Sequence, residues 1–167
     1  MDQTVRRLVL IRHAKAAEGA VDRERPLAAR GIREAPEIGR WLADRDLVPD
    51  RVVVSPARRA RQTWERAATG LTGAPEPVQD ERIYDNVVAA LLAVVQDSPD
   101  GVRTLAIVGH NPGIQEFAIS FDDGTGDGAA RRGVIGKYAT GGLAVFAVEE
   151  PWSQAQSGVL AAFEVPR

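Results

Sequence analysis

Short apolar runs alternate with helical patterns along this chain. The β-branched and leucine-rich runs predict five strands, over residues 5–11, 51–54, 104–108, 143–148 and 159–165. Helical spacing over 29–44 predicts a helix that buries one face, formed by Ile32, Ala35, Ile38 and Leu42. Pro36 lies inside this pattern and predicts either a kink or a later start.

Three further helices follow from the pattern of caps and apolar residues. Ser55-Pro56 is typical of a cap and first helical position, and that helix extends to about residue 68. Asn111-Pro112 opens a similar helix to about 120. Residues 87–95 are apolar almost all round and predict a buried helix, capped by Asp85 or Asn86. The composition predicts loops over 16–28, 70–77 and 121–133.

Strands that alternate with helices indicate an α/β layered fold, and the 167 residues fit a single domain, 1–167. With 44% apolar residues the chain can build a core. Its net charge of −2 does not favour a nucleic-acid or membrane partner. Cysteine is absent, which excludes disulfides and cysteine nucleophiles. No apolar signal segment or membrane-length run is present, so we expect a cytoplasmic protein.

Polar and cationic residues follow three of the predicted strands. Arg12-His13 follows the first, "SPARRARQT" the second and His110-Asn111-Pro112 the third. In open α/β sheets the ligand crevice lies at the carboxyl ends of the strands. Both histidines can therefore converge there with a set of cations, namely Arg12, Lys15 and a choice among Arg58, Arg59 and Arg61. Such a pocket suits a dianion such as phosphate.

A neutral imidazole is a nucleophile toward phosphorus and needs no metal where fixed positive charge surrounds the phosphoryl group. Two arginines and a protonated second histidine could supply that charge. A metal hydrolase built on the two histidines is disfavoured by the adjacent arginines. A calcium loop in "DDGTGDG" is disfavoured because Val134 stands where the bidentate glutamate belongs. A phospho-binding module without turnover remains an alternative.

The motifs "RHAKA", "SPARRARQT" and "VGHNP", in this order, resemble those of the histidine phosphatase superfamily, also called phosphoglycerate-mutase-like. The stretch "RPLAARGIREAPEIGRWL" is similar to a helix of that family, and the tail looks most like short SixA-type phosphohistidine phosphatases. The resemblance covers essentially the whole chain. It implies a three-layer α/β/α sandwich with a mixed, mostly parallel central sheet, and neither a metal nor a cofactor.

The resemblance also implies roles for individual residues. His13 is the expected nucleophile, Arg12 clamps the phosphate, Arg59 matches the arginine of the second motif, and His110 stabilises the transferring phosphoryl group. Neither Arg58 nor Arg61 fits the family position. Substrate binding is expected from a set of polar residues at the strand ends, comprising Arg12, Lys15, Arg59, His110 and Asn111.

Two departures from the family pattern bear on function. The first motif is usually Arg-His-Gly, and here Ala14 follows His13. The proton donor to the leaving group is not obvious, with Asp85 the best match and Glu81 the second. A weak or absent acid favours phosphohistidine, whose P–N bond is labile once its nitrogen is protonated. We therefore expect a phosphohistidine protein as substrate, with small phosphate esters as the alternative.

Overall fold

The fold is built on a single six-stranded mixed sheet in this computed structural model, which describes residues 5–167. Its strands are β1 (Arg6–Arg12), β2 (Arg51–Val54), β3 (Val78–Gln79), β4 (Thr104–Gly109), β5 (Leu143–Val148) and β6 (Val159–Glu164). They lie in the order β3-β2-β4-β1-β5-β6. The neighbours from β3 to β1 are parallel, whereas β5 is antiparallel to both β1 and β6. The sheet is therefore mixed and mostly parallel.

Helices cover both faces of this sheet. They are α1 (Ala29–Asp44), α2 (Arg58–Ala68), α3 (Glu81–Asp85), α4 (Val88–Gln96), α5 (Gly113–Phe121) and α6 (Gly128–Gly136), with short 3₁₀ segments at Asp22–Glu24 and Trp152–Gln154. Alternate β1 residues point to opposite faces. Val9 packs in the core beneath α1 and α2, and Leu10 packs in the core beneath α4, α5 and α6. The predicted three-layer α/β/α sandwich is confirmed.

Residues 1–4 lie outside the described residues. The single domain 1–167 and the expected absence of a signal segment therefore stay predictions. None of the helices within 5–167 is long and apolar enough to cross a membrane.

The bounds of α1 match the prediction, but its buried face differs from it. The helix continues through Pro36, so a later start is wrong. Ile32 is 39% exposed, whereas Gly31 is buried. At 100° per residue, Gly31 lies closer than Ile32 to the centre of the face that contains Ile38 and Leu42. A side chain at Gly31 would meet the carbonyl of Lys15, so the backbones are in close contact here.

The predicted helix caps are wrong at three positions. The helix α2 begins at Arg58 with Ala57 as its cap, and Ser55 instead accepts a hydrogen bond from the Ala57 N–H at 3.1 Å. Pro112 precedes the first residue of α5, although the Asn111 side chain still accepts from a backbone N–H of that helix. Neither Asp85 nor Asn86 caps α4, whose cap is Val87. Asn86 adopts the left-handed conformation that ends α3.

Helix α6 occupies much of the stretch predicted to be a loop over 121–133. Asp127 caps it, and its side chain accepts hydrogen bonds from the N–H groups of Ala129 and Ala130. The loop prediction is therefore wrong from residue 128 onward. Of the predicted loops 16–28 and 121–133, only 16–28 is largely irregular.

Candidate active site

The three motifs meet where β1, β2 and β4 end side by side. Arg12 is the register partner of Gly109, and the His13 N–H donates to the Gly109 carbonyl at 2.9 Å. Ser55 follows β2 and donates its N–H to the carbonyl of Val108 at 3.1 Å. This adjacency is a direct result of parallel pairing, because the carboxyl ends of parallel strands lie at one edge of the sheet.

A cavity of about 520 Å³ opens at this edge. Glu81, the second candidate for the proton donor, does not line it, whereas the other predicted site residues do, namely Arg12, His13, Lys15, Arg59, Asp85, His110 and Asn111. Among the three arginines left open by spacing, Arg59 lines the cavity, and Arg61 donates to the carbonyl of Pro56 instead. The roles of these residues stay predictions.

The His13 ring is oriented by a backbone hydrogen bond. Its Nδ1 lies 2.7 Å from the carbonyl oxygen of Ala14, which can only accept. The ring proton therefore resides on Nδ1, and Nε2 keeps its lone pair. Burial lowers the pKa of His13 to about 4, although the hydrogen bond to Ala14 acts in the opposite direction, and Arg59, Arg12 and Arg25 add to the lowering. At neutral pH the ring is neutral and nucleophilic.

The second histidine, His110, faces the first at 5.2 Å between ring centroids. Its Nε2 lies 2.8 Å from Ser55 Oγ, and its buried Nδ1 has no hydrogen-bond partner in the described structure. Ser55 Oγ accepts from Ala57 and still has one proton and one further lone pair, so it can either donate to Nε2 or accept from it. His110 lines the same cavity as His13, and a ring N–H there is a donor for a phosphoryl oxygen.

Burial, with charge from His13 and Arg59, lowers the pKa of His110 to about 3. Burial therefore favours a neutral His110 in the free protein. The expected protonated second histidine concerns the site with a phosphoryl group bound and stays a prediction. A bound anion raises this pKa, because it stabilises the charged ring.

Two arginines supply fixed positive charge within the cavity. Arg12 donates from one terminal nitrogen to the Tyr138 carbonyl at 2.9 Å, and its buried Nε has no partner in the described structure. Arg59 is 7% exposed and donates to the carbonyl and the carboxylate of Asp22 at 2.8 and 3.1 Å. Both guanidinium groups belong to residues that line the cavity, and their charge suits an anion there.

Ala14 departs from the family pattern without entering the cavity. Its methyl group is buried in a small cluster with Leu27 and Ala35, and its N–H donates to Thr63 Oγ1 at 3.0 Å. The Thr63 hydroxyl in turn donates to the Arg59 carbonyl at 2.7 Å. The extra methyl therefore contributes to packing beside the nucleophile and leaves the cavity free.

Sequence reasoning missed six residues that line the cavity, namely Ala16, Asp22, Arg25, Tyr84, Asn86 and Thr140. Tyr84 donates its hydroxyl proton to Asp22 Oδ2 at 2.5 Å, and Arg25 donates to Oδ1 at 3.1 Å. These bonds, with that from Arg59, hold the pKa of Asp22 far below its usual range. The one sequence signal nearby was the "RPL" stretch that begins at Arg25. Within residues 5–167, no group of three or more histidine and acidic side chains could hold a metal ion.

Comparisons with known proteins agree with this geometry. Residues 8–87 match the family model of the histidine phosphatase superfamily (branch 1). A candidate phosphohistidine phosphatase SixA from Nakamurella multipartitia is 32% identical, with a TM-score of 0.84 over 97% of this chain and 96% of that one. The chain belongs to the histidine phosphatase superfamily.

Two further relatives of this histidine phosphatase span nearly its whole length. An uncharacterized protein of Mycobacterium tuberculosis is 37% identical over 163 residues, which cover 94% of this chain and 100% of that protein. A candidate SixA from Agrobacterium tumefaciens is 28% identical, with a TM-score of 0.80 over 96% of this chain and 98% of that one. The family and these neighbours support a phosphatase activity.

Proposed function

We propose that this histidine phosphatase removes the phosphoryl group from phosphohistidine in a protein, through a covalent phosphohistidine intermediate on His13. The observation that carries the proposal is the state of that ring, which is neutral and has its Nε2 lone pair free beside Arg12, Arg59 and His110. In the first step Nε2 attacks phosphorus and the bond to the leaving group breaks. Water then hydrolyses the intermediate and releases phosphate.

Arg12, Arg59 and His110 neutralise charge on the transferring group in this mechanism. Phosphoryl transfer depends mainly on positioning and on charge stabilisation at the equatorial oxygens. Arg12, Arg59 and His110 line the same cavity as His13, so their charge and N–H donors are in place for those oxygens before the substrate binds. Lys15 and Asn111, at the edge of the cavity, complete the proposed substrate-binding set.

The setting of the acidic residues supports phosphohistidine over an ester. A carboxyl group that protonates an alkoxide near neutral pH is kept protonated by burial. Asp85 is exposed, and Glu81 is bound by Arg23, which holds the pKa of Glu81 below its usual range. An imidazole leaving group needs no such acid when its ring is already protonated. The cavity also opens beside the irregular loop 16–28. An open cavity of this kind can admit the surface of a substrate protein.

A trapping experiment tests the intermediate. Brief exposure to labelled phosphohistidine protein, followed by quenching, is expected to leave label on His13 that is stable to base and labile to acid. The variant His13→Ala is expected to lose both the label and turnover. Activity that persists in this variant without an adduct contradicts the mechanism, whereas substrate binding without turnover in the wild type indicates a binding module.

A direct comparison of substrates tests the specificity. Phosphohistidine protein is expected to have a higher kcat/KM than any member of a panel of sugar and nucleotide phosphates. A clear advantage for one of the esters would overturn the phosphohistidine proposal and leave the His13 mechanism intact. A cytoplasmic location stays a prediction.

A further inference from the structure

Asp22 is a carboxylate held in place inside a pocket of cations. It accepts hydrogen bonds from Tyr84 of α3, from Arg59 of α2 and from Arg25, which follows it in the loop. Its Oδ2 receives two of these bonds, whereas Oδ1 receives only the bond from Arg25. Half of the side chain remains exposed, so Oδ1 has a lone pair for a further donor.

The residues that hold Asp22 are themselves fixed. The Arg23 guanidinium lies over the Tyr84 ring at 4.2 Å from its centroid. Its two terminal nitrogens donate to the carboxylate of Glu81 at 2.9 and 2.8 Å. The Asp22 carbonyl accepts from Arg59 as well, so both the backbone and the side chain of Asp22 are anchored. The carboxylate therefore occupies a defined position in the cavity that contains His13.

We propose that Asp22 binds the leaving imidazole of phosphohistidine by accepting the N–H of the ring nitrogen that does not carry phosphorus. This inference rests on the proposed function and adds a site for the leaving group to it. Phosphohistidine differs from phosphate esters in this ring N–H, and an anionic acceptor recognises it directly.

The first step then balances without an acid. The lone pair of His13 Nε2 forms the new N–P bond, and the P–N bond of the substrate breaks with its electron pair staying on the substrate nitrogen. Because the other ring nitrogen already carries a proton, the group leaves as neutral imidazole. No proton moves, and Asp22 remains ionised throughout. Its negative charge favours the protonated substrate ring, which is the form with the better leaving group.

The same carboxylate does not assist an ester. The hydrogen bond from Tyr84, with those from Arg59 and Arg25, keeps Asp22 ionised far below neutral pH, so it holds no proton for an alkoxide. The other titratable and charged residues that line the cavity with Asp22 are Arg12, His13, Lys15, Asp85 and His110. An ester oxygen also carries no proton that Asp22 could accept in a hydrogen bond.

Asp22→Asn tests this inference with two substrates. The variant keeps the shape of the side chain but removes its charge. For a phosphohistidine peptide, kcat/KM is expected to fall about 10- to 100-fold, as for the loss of a charge-assisted hydrogen bond. For p-nitrophenyl phosphate, whose nitrophenolate leaves without a proton, the loss is expected to stay below about threefold. This second activity also shows that the variant is folded.

Glu24→Gln is the matched control. Glu24 belongs to the same 3₁₀ segment and is exposed, but it does not line the cavity. Its substitution makes the same change of charge and is expected to leave both activities unchanged. The pH profile of kcat gives a second measurement, because it reports ionisation within the complex. Its alkaline limb is expected at lower pH in Asp22→Asn than in the wild type.

Three results would overturn the inference. Equal losses on both substrates would mean that Asp22 only positions Arg59. Gains on both would mean that Asp22 competes with the phosphoryl group for Arg59. A wild-type protein that hydrolyses p-nitrophenyl phosphate but no phosphohistidine would overturn the proposed substrate, and the leaving-group site with it.

Discussion

Ala14 lies one residue after the proposed nucleophile, yet its methyl group contacts only the interior. It packs with Leu27 and Ala35, and its N–H is bonded to Thr63. Leu27 belongs to the far end of the loop that carries Asp22. The residue therefore contributes to the support of the loop as well as to the backbone beside His13.

Ala14→Gly, which restores the family's usual residue, is expected to lower stability and leave catalysis intact. The loss of a buried methyl and the added freedom of the unfolded chain are expected to cost about 1 kcal/mol. Urea unfolding measures this change, and kcat on p-nitrophenyl phosphate is expected to stay within about threefold of the wild type. A tenfold change in kcat at unchanged stability would show instead that the methyl shapes the phosphate site.

Single residues differ in how far the sequence reveals them. Spacing leaves Arg58, Arg59 and Arg61 open, and Arg59 is chosen because it matches the second motif of the family. The structure places it one turn from the buried Thr63. Asp22 could not be chosen in this way. Its partners Arg59 and Tyr84 lie 37 and 62 residues away, and only the folding of an irregular loop brings them together.

Strands were predicted more closely than helix starts. Buried strands are continuous apolar runs, so the observed ends of β2 and β5 match their predicted ends. A serine or asparagine near a helix start has several possible partners, and Ser55 bonds to His110 and to a turn N–H rather than capping α2. Cap chemistry is thus a weaker signal where the same side chain belongs to an active site.

Helix α6 shows the opposite error, because a loop composition concealed a helix. The glycines and aspartates of residues 121–133 are typical of loops, yet Asp127 satisfies two of the N–H groups at the start of the helix. The rest of the helix is held by packing, since Ala130 and Val134 are buried in the core beneath α5. Tertiary contacts of this kind are not visible in local composition.

The cap of α6 can be tested by Asp127→Ala. Removal of the two hydrogen bonds is expected to lower the free energy of unfolding by about 1 kcal/mol. Asp123→Ala is the control, because that side chain bonds only to Thr125 within its own turn. The difference between the two variants in urea unfolding measures the cap, and equal effects would contradict a helix that begins at Gly128.

At the scale of the whole molecule, the site depends on β1 lying between β4 and β5 at the centre of the sheet. The sequence predicts that strand ends converge, and parallel pairing of β1 with β4 confirms that Arg12 and Gly109 are neighbours. The family resemblance implied a mixed, mostly parallel sheet, but the order of its strands was not predicted, because pairing partners are set by long-range packing. The same burial that builds the site makes its histidines costly to protonate.

Stability is therefore expected to depend on pH through His13 and His110. Their pKa values fall from 6.5 to about 4 and about 3 on folding, so the unfolded chain binds more protons below pH 6.5. The contribution of the two neutral histidines to the free energy of unfolding is complete above pH 6.5 and is lost as the pH falls toward 4. For His13 the loss amounts to about 3 kcal/mol over this range.

Urea unfolding of the wild type and His13→Gln between pH 7 and 4 measures this effect. Glutamine does not titrate, so the variant is expected to lose less stability on acidification than the wild type. The pKa of Asp22 is lowered from its ordinary value of 3.8, so its own contribution to stability is lost only below about pH 4, outside the measured range. Parallel curves for the two proteins would show that His13 titrates normally in the fold.

The two sides of the cavity have different kinds of support. His13 follows a central strand and is held through backbone bonds to its neighbours, whereas Asp22 is held on an irregular loop by side chains. On warming, segments with fewer buried contacts open before a central sheet does. A heated sample would thus keep its nucleophile after Asp22 has been released. It would continue to cleave activated phosphates while no longer preferring one leaving group over another.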